Sequence, residues 1–232
     1  MTDSPLITRV EPLDPRSARV RVHLDAAEPL EITLEALELS RLGVGDTLPP
    51  AARLNLLETD ADVRVREAAL NLLVYRDRTR RELKTRLRKK GFAGERIDAC
   101  LDRLEQRGLL DDAAVAAAFV RDRLLHRPRG KARLAAELRA KGLDTDTAAE
   151  TIDRVFDHQG TSDTELALEA AEGWLRRQGG PVAVALAGAR SPEREKAKRR
   201  LHGYLSRRGF RGEALTAALE RAAQLASQPR PG

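Results

Sequence analysis

The chain has 232 residues, enough for one large domain or several small ones, and its 34% of charged residues exceeds the roughly 25% of ordinary globular domains, which suits an extended form. One cysteine excludes an internal disulfide, no stretch approaches the roughly 20 apolar residues of a membrane span, and residues 1–12 lack a signal-peptide pattern, so a soluble cytoplasmic protein is expected. The net charge of +6 is uneven: residues 1–62 hold 12 acidic and 6 basic side chains and residues 63–232 the remaining 24 and 36, a field that attracts polyanions or an acidic protein face.

Residues 6–34 differ from everything after them. LITRVEPL, ARVRVHLD and PLEITL carry β-branched residues in partial alternation between Pro- and Asp-containing turns, which predicts two or three short strands. A short helix is expected over 34–42, ended by Gly43 and Gly45, with Pro49-Pro50 breaking the chain behind it. A few strands alone are marginal, so this element, residues 1–58, is expected to pack on the first helix that follows.

From there the pattern is helical. A first helix is read from about Asp60 to Arg76. Thr79 and Glu82 form a capping-box pair that opens a second helix ending at Gly91, and a third spans roughly 95–107 before Gly108. Asp111 or Asp112 caps AAVAAAFVRDRLL; Pro128 and Gly130 separate it from KARLAAELRAKG; a further helix covers about 145–156, with 158–161 as a linker. Ser162 and Glu165 make a second capping box before LALEAAEGWLRR. GGPVAVALAGAR, residues 179–190, interrupts the pattern as a loop insert or a poorly formed helix. Ser191, Pro192 and Glu193 then read as N-cap, N1 proline and acidic first turn of a helix reaching Arg208. A last helix covers about 213–226, and SQPRPG is read as a frayed tail.

These helices repeat. Leu83 and Leu87 precede Gly91 by eight and four residues; Phe92, Ile97, Leu101 and Leu104 follow it by one, six, ten and thirteen. The same offsets from Gly142 give Leu134, Leu138, Leu143, Ala148, Ile152 and Val155, and from Gly209 they give Leu201, Leu205, Phe210, Leu215, Leu219 and Ala222. Leucines at i and i+4 before a glycine describe the buried stripe of a helix with a left-handed C-cap, and the later offsets describe the apolar face of the next helix. One such unit buries too little to stand alone, so stacked copies share or abut their cores. The expected fold is mainly α: an elongated tandem array of three-helix repeats (59–110, 111–158 and 162–227, the last with the 179–190 insert) behind a small N-terminal β-strand element.

The sharpest chemical feature is the run from Arg76 to Lys90, where nine residues are Arg or Lys and only Asp77 and Glu82 offset them. With Leu83 and Leu87 facing the core at 100° per residue, Arg81, Arg88 and Lys89 point outward and Lys84 lies at the flank, while Arg76 and Arg78 sit in the turn before the helix. A second cluster in repeat two includes Arg121, Arg127, Arg129 and Lys131; a third covers 194–200. A solvated face of good helix formers is the plain alternative for any one of these residues. The apolar face is committed to the core, which argues against a membrane-surface helix. Most of the seven aromatic residues sit at or beside core-type positions, leaving little for base stacking, so sequence-tolerant contact with a nucleic-acid backbone is the most that charge supports. The four histidines share no helical face, Cys100 lies on a buried stripe between Ile97 and Leu104, and no CxxC, HExxH or GxxxxGK[ST] occurs. Neither catalytic residues, metal ligands nor a cofactor are expected.

AALNLLVYRDRTRRELKTRLRKKGF, GLLDDAAVAAAFVRDR and RPRGKARLAAELRAKG together resemble the RecX family of regulatory proteins. In that family a leucine-rich helix precedes R-x-R-S/T-x-x-E-L, then K-G-F, then L-D-D before F-V/A-x-x-R. The matching positions are Arg76, Arg78, Thr79, Glu82 and Leu83, then Lys90, Gly91 and Phe92, then Leu110, Asp111 and Asp112, then Phe119, Val120 and Arg123. The resemblance is specific over about 67–157, looser over 163–226 and only suggestive for the strands; the 179–190 insert departs from it.

The resemblance implies tandem three-helix repeats and a protein of DNA repair, homologous recombination and the SOS response. It implies binding to the RecA filament, with inhibition of its ATP hydrolysis, strand exchange and co-protease activity. The outward basic residues Arg76, Arg78, Arg81, Lys84, Arg88, Lys89, Arg121, Arg127, Arg129 and Lys131 are then expected to make the contacts, aided by weak, non-specific binding to single- or double-stranded DNA. That assignment comes from helical geometry and not from a family motif. The alternative is a DNA-binding protein that acts on RecA indirectly, by competing for DNA.

Overall fold

The computed structural model describes residues 4–15 and 18–228; residues 229–232 of the expected frayed tail lie outside it. Its strands are β1 (Ile7–Pro12), β2 (Arg19–Leu24) and β3 (Leu30–Thr33). Its helices are α1 (Leu34–Leu39), α2 (Pro50–Tyr75), α3 (Arg80–Lys89), α4 (Gly94–Gln106), α5 (Asp112–His126), α6 (Lys131–Lys141), α7 (Thr145–Gln159), α8 (Asp163–Arg176), α9 (Gly180–Ala187), α10 (Pro192–Arg207) and α11 (Gly212–Ala226). The chain is thus mainly helical behind a small β element, as its periodicity predicts. It divides into two compact units, residues 1–110 and 111–232.

In the first unit the three strands pair antiparallel in the order β1-β2-β3, with Val10 opposite Val22 and Val20 opposite Ile32. Alternation puts Val20, Val22 and Ile32 into one buried face with Ile7 and Leu30, covered by Ala36, Leu37, Leu48, Leu56 and Val63. Leu56 and Val63 belong to α2, so the strands do pack on the first long helix. That helix begins ten residues earlier than its apolar pattern suggests. Pro50 does not break the chain but occupies the first helical turn of α2, where a missing N–H has no intrahelical partner to lose. The helix runs unbroken past residue 59, and its second half supplies Val65 and Ala69 to another core with Leu83, Leu87, Ile97, Cys100, Leu101, Leu104 and Leu110. Buried Asp60 ties the two parts together by accepting the Thr33 amide at 2.6 Å.

In the second unit, helices of both later repeats contribute to one continuous core, from Ala116 to Ala222. Asp111 caps α5 by accepting from Ala114, and Ser162 and Glu165 form the full capping box at α8. The linker before α8 is shorter than expected, because α7 continues to Gln159 and is closed by Gly160. Residues 180–187 form a true helix, α9, opened by Pro181 and burying Ala183 and Leu186. It packs on α10 and α11, which give its apolar residues the partners that the segment alone does not provide.

All three repeat-closing glycines adopt positive φ, 89° at Gly91, 108° at Gly142 and 92° at Gly209. Their preceding leucine pairs are fully buried in each repeat. The match loosens in α11, which buries Ala214, Ala218 and Ala222 and leaves Leu215 and Leu219 at the margin. The cause is its partner: α8 offers Ala167, Ala170 and Ala171, and two alanine faces approach closely while the leucines pack at the flanks.

Gly130 and Gly209 cross backbone to backbone. The Gly130 amide donates to the Arg208 carbonyl at 2.9 Å, and a Cβ on Gly130 would lie 2.6 Å from the carbonyl carbon and oxygen of Gly209. The turn of repeat two and the turn of repeat three are therefore one joint.

Candidate functional site

The basic run of the first unit is sorted by which side chains the fold uses. Thr79 opens α3 by accepting the Glu82 amide at 3.3 Å; the Glu82 carboxylate accepts from Arg76 at 3.2 Å, adding an interaction that the capping-box reading did not anticipate. Arg78, expected at the surface, is buried. Its Nε donates to the Leu72 carbonyl at 3.0 Å, one of the last acceptors of α2, so it caps that helix end. Its Nη1 is buried without a hydrogen-bond partner among the described residues, and burial first, then the nearby Arg76 and Arg86, lowers its proton affinity. Arg78 is a structural cation.

Across α3, Arg80 reaches Asp102 and Glu105 on α4, both at 2.7 Å, and Lys84 pairs with Asp98 at 2.6 Å. The Lys84 hydrogen bond holds the Asp98 carboxyl below its ordinary range. Lys84 is therefore half-buried and largely neutralised by its partner. Arg81, Arg88 and Lys89 are exposed, as the helical geometry predicts, and so are Arg86 and Lys90. Arg86, Arg88 and Lys89 lie in the last turn of α3 and Lys90 at its cap, where they also complement the helix dipole.

One aromatic residue escapes the core-type assignment. Tyr75 is 89% exposed and its neighbour Val74 88% exposed, at the C-terminal end of α2 next to Arg76. The other aromatic residues are buried or partly buried, Phe156, Phe210 and Trp174 most fully.

In the second unit, Glu137 gathers arginines: Arg133 at 2.8 Å, Arg123 at 3.6 Å, and Arg129 in direct contact. Arg129 is mostly buried; burial and then the charges of Arg123, Arg133, Arg127 and Arg208 lower its proton affinity. Three guanidinium groups thus share the Glu137 carboxylate near the Gly130–Gly209 joint, with Asp122 also taking Arg123 at 2.7 Å, and Arg127 and Arg208 add their charge around Arg129. Arg127 is exposed there, and Arg208 contributes from repeat three, donating to the Pro128 carbonyl at 3.3 Å and lying 4.6 Å from the Tyr204 ring. Arg208 is absent from the residues singled out by sequence, yet it was findable: it precedes Gly209 just as Lys90 precedes Gly91 and Lys141 precedes Gly142. Arg121 is exposed on α5. Lys131 faces elsewhere, paired with Asp153 at 2.6 Å and lying 5.0 Å from the Phe156 ring, while its amide donates to Asp163.

Of the ten basic residues singled out, Arg78, Lys84, Arg129 and Lys131 are thus engaged by the fold. Arg81, Arg88, Lys89, Arg121 and Arg127 are exposed, and Arg76 is half-exposed while holding Glu82. An excess of exposed guanidinium groups suits bidentate contact with phosphate or carboxylate.

The chain has clear relatives among known proteins. The model described as the first three-helix domain of RecX matches residues 66–104, and that of the second matches residues 111–152. Regulatory protein RecX of Mycolicibacterium smegmatis is 37% identical over 159 residues, covering 66% of this chain and 79% of its own. That of Thermobifida fusca is 39% identical over 153 residues, covering 65% and 74%. A crystal structure of regulatory protein RecX aligns with a TM-score of 0.72 at 21% identity, covering 93% of this chain and 99% of that one, and RecX from Lactobacillus salivarius with 0.57 at 21%, covering 71% and 98%. The last two show likeness of fold. The family models cover the two repeats that carry most of the basic residues singled out, the first relatives share more than a third of their aligned residues with this chain, and the chain belongs to the RecX family of regulatory proteins.

Proposed function

We propose that this chain is a cytoplasmic negative regulator of RecA recombinase that binds the RecA–DNA filament and inhibits its ATPase, strand-exchange and co-protease activities. Family membership supports the RecA connection. The observation that carries direct protein contact is the mixed surface at the end of α2 and along α3: exposed Val74 and Tyr75 beside Arg76, with Arg81, Arg88 and Lys89 exposed on the next helix. Tyrosine and arginine are among the residues most enriched in protein-interface hot spots, and phosphate alone needs no apolar anchor. The cations add contact with filament DNA.

The second reading, competition for DNA, is favoured by the same exposed cations and gives no role to Val74. One variant separates the readings, with a charge-reversal variant beside it as the reference for loss of DNA binding. Charge reversal at Arg81, Arg88 and Lys89 should weaken both duplex-DNA binding and RecA inhibition. Tyr75→Ala should leave duplex-DNA affinity unchanged, measured by fluorescence anisotropy, and weaken RecA inhibition about tenfold. Unchanged inhibition in Tyr75→Ala, with inhibition tracking DNA affinity across all variants, would favour competition.

A further inference from the structure

Helix α4 has two working faces. Asp98, Asp102 and Glu105 are paired with α3, as described above. The opposite face carries Arg96, Ala99, Arg103 and Arg107, and with α2 and the end of α1 it encloses a cavity of about 200 Å³. Apolar side chains line its interior: Val63, Cys100 and Leu104 are buried, and Leu39, the last residue of α1, forms a wall while remaining 60% exposed. Leu39 is a large apolar group left open at the mouth of an apolar recess.

The rim is cationic. Arg66 contacts Glu35, and Arg96 is held by Asp62 at 2.7 Å and the Glu58 carbonyl at 3.1 Å, so both are fixed in place. Arg103 and Arg107 are exposed, and neither makes an ion pair among the described residues. Among the described residues, Asp62 is the only carboxylate in the lining against four guanidinium groups.

This combination selects its ligand. The space is below the roughly 300–1,000 Å³ of small-molecule sites, so it suits one inserted side chain better than a cofactor. No aromatic side chain among the described residues lines it, so it offers nothing for a nucleobase to stack on, and its apolar interior gains nothing from phosphate. Carboxylates match exposed guanidinium groups in bidentate geometry. We propose that the cavity is a docking site for an acidic peptide segment of a partner protein, with one large apolar side chain seated against Leu39, Val63 and Leu104 and flanking carboxylates on Arg103 and Arg107. This surface is separate from the α3 cations, and the proposal holds whether or not the RecA reading does.

The probe is a fluorescein-labelled peptide of Asp and Glu residues with a single central Leu, followed by anisotropy on the full chain. A peptide of equal charge with Ser in place of Leu and a single-stranded oligonucleotide serve as comparisons. The expected result is binding that weakens at least about tenfold with the Ser peptide, with Leu39→Asp, and with the Arg103→Glu/Arg107→Glu double variant, all at exposed positions whose folding is checked by circular dichroism. Cys100 gives a second readout, because it is the only cysteine in the chain and lines the cavity. The Leu peptide should slow its alkylation by iodoacetamide, and the oligonucleotide should not. Absence of binding, equal binding of the Leu and Ser peptides, binding indifferent to the variants, or equal protection of Cys100 by the oligonucleotide would each overturn the proposal.

Discussion

Arg78 and Arg88 belong to one basic run, and the fold treats them in opposite ways. The guanidinium of Arg78 is held inside, donating to the Leu72 carbonyl at the end of α2, whereas Arg88 is exposed on α3. Arg78→Ala removes a helix-end partner and leaves the partly buried Leu72 carbonyl without it, so it should cost about 2 kcal/mol in urea unfolding. Arg88→Ala should change stability by no more than about 0.5 kcal/mol and should instead weaken duplex-DNA binding. Helical geometry identified the outward position of Arg88 correctly. It could not sort the turn residues, because a turn has no fixed face and a long arginine reaches back to whichever carbonyl is open. Asp98 adds a pH dependence. Its carboxyl is held below the ordinary range by Lys84, so the folded state favours its ionised form more than the unfolded chain does. The resulting stability is present above the ordinary carboxylate range and is lost as pH falls through the lowered value. Asp98→Asn should therefore melt with a shallower acid dependence than the parent between neutral pH and acid.

At the scale of elements, the repeat was legible because its signals are local: a leucine pair, a glycine that must adopt positive φ, and a following apolar stripe. Caps were legible for the same reason. Ser162→Ala, which removes the box at α8, should cost about 1 kcal/mol in thermal or urea unfolding. What sequence left open depended on partners far along the chain. Residues 180–187 are a helix because α10 and α11 cover Ala183 and Leu186, and α11 turns its alanines inward because α8 presents alanines to it. Pro49-Pro50 misled because proline stops a helix from within and starts one from its first turn, and only the structure says which side applies. The Gly130–Gly209 joint was equally invisible, since neither glycine names the other. Gly130→Ala would force a Cβ to 2.6 Å from the Gly209 carbonyl, backbone that yields only by opening the joint. It should destabilise the second unit by about 2–4 kcal/mol, and urea unfolding checks this.

At the scale of the whole molecule, charge is divided along the chain: the first 62 residues are net acidic and the remainder strongly basic. Internal pairing at Arg80, Lys84, Arg129 and Lys131 consumes part of that excess and leaves a smaller exposed set, which bounds the surface proposed to meet DNA. Duplex-DNA affinity should fall with salt, and removing Arg88 and Lys89 together should lower the log–log slope by about one for each phosphate left without its cation. The proposed inhibition of RecA is tested most directly by its DNA-dependent ATPase on excess single-stranded DNA, with this protein titrated well below the RecA concentration. Inhibition is expected at a small fraction of RecA, because one bound molecule would act on many protomers through the filament. No effect until the DNA itself is saturated would contradict it and leave the basic faces as a nucleic-acid sink.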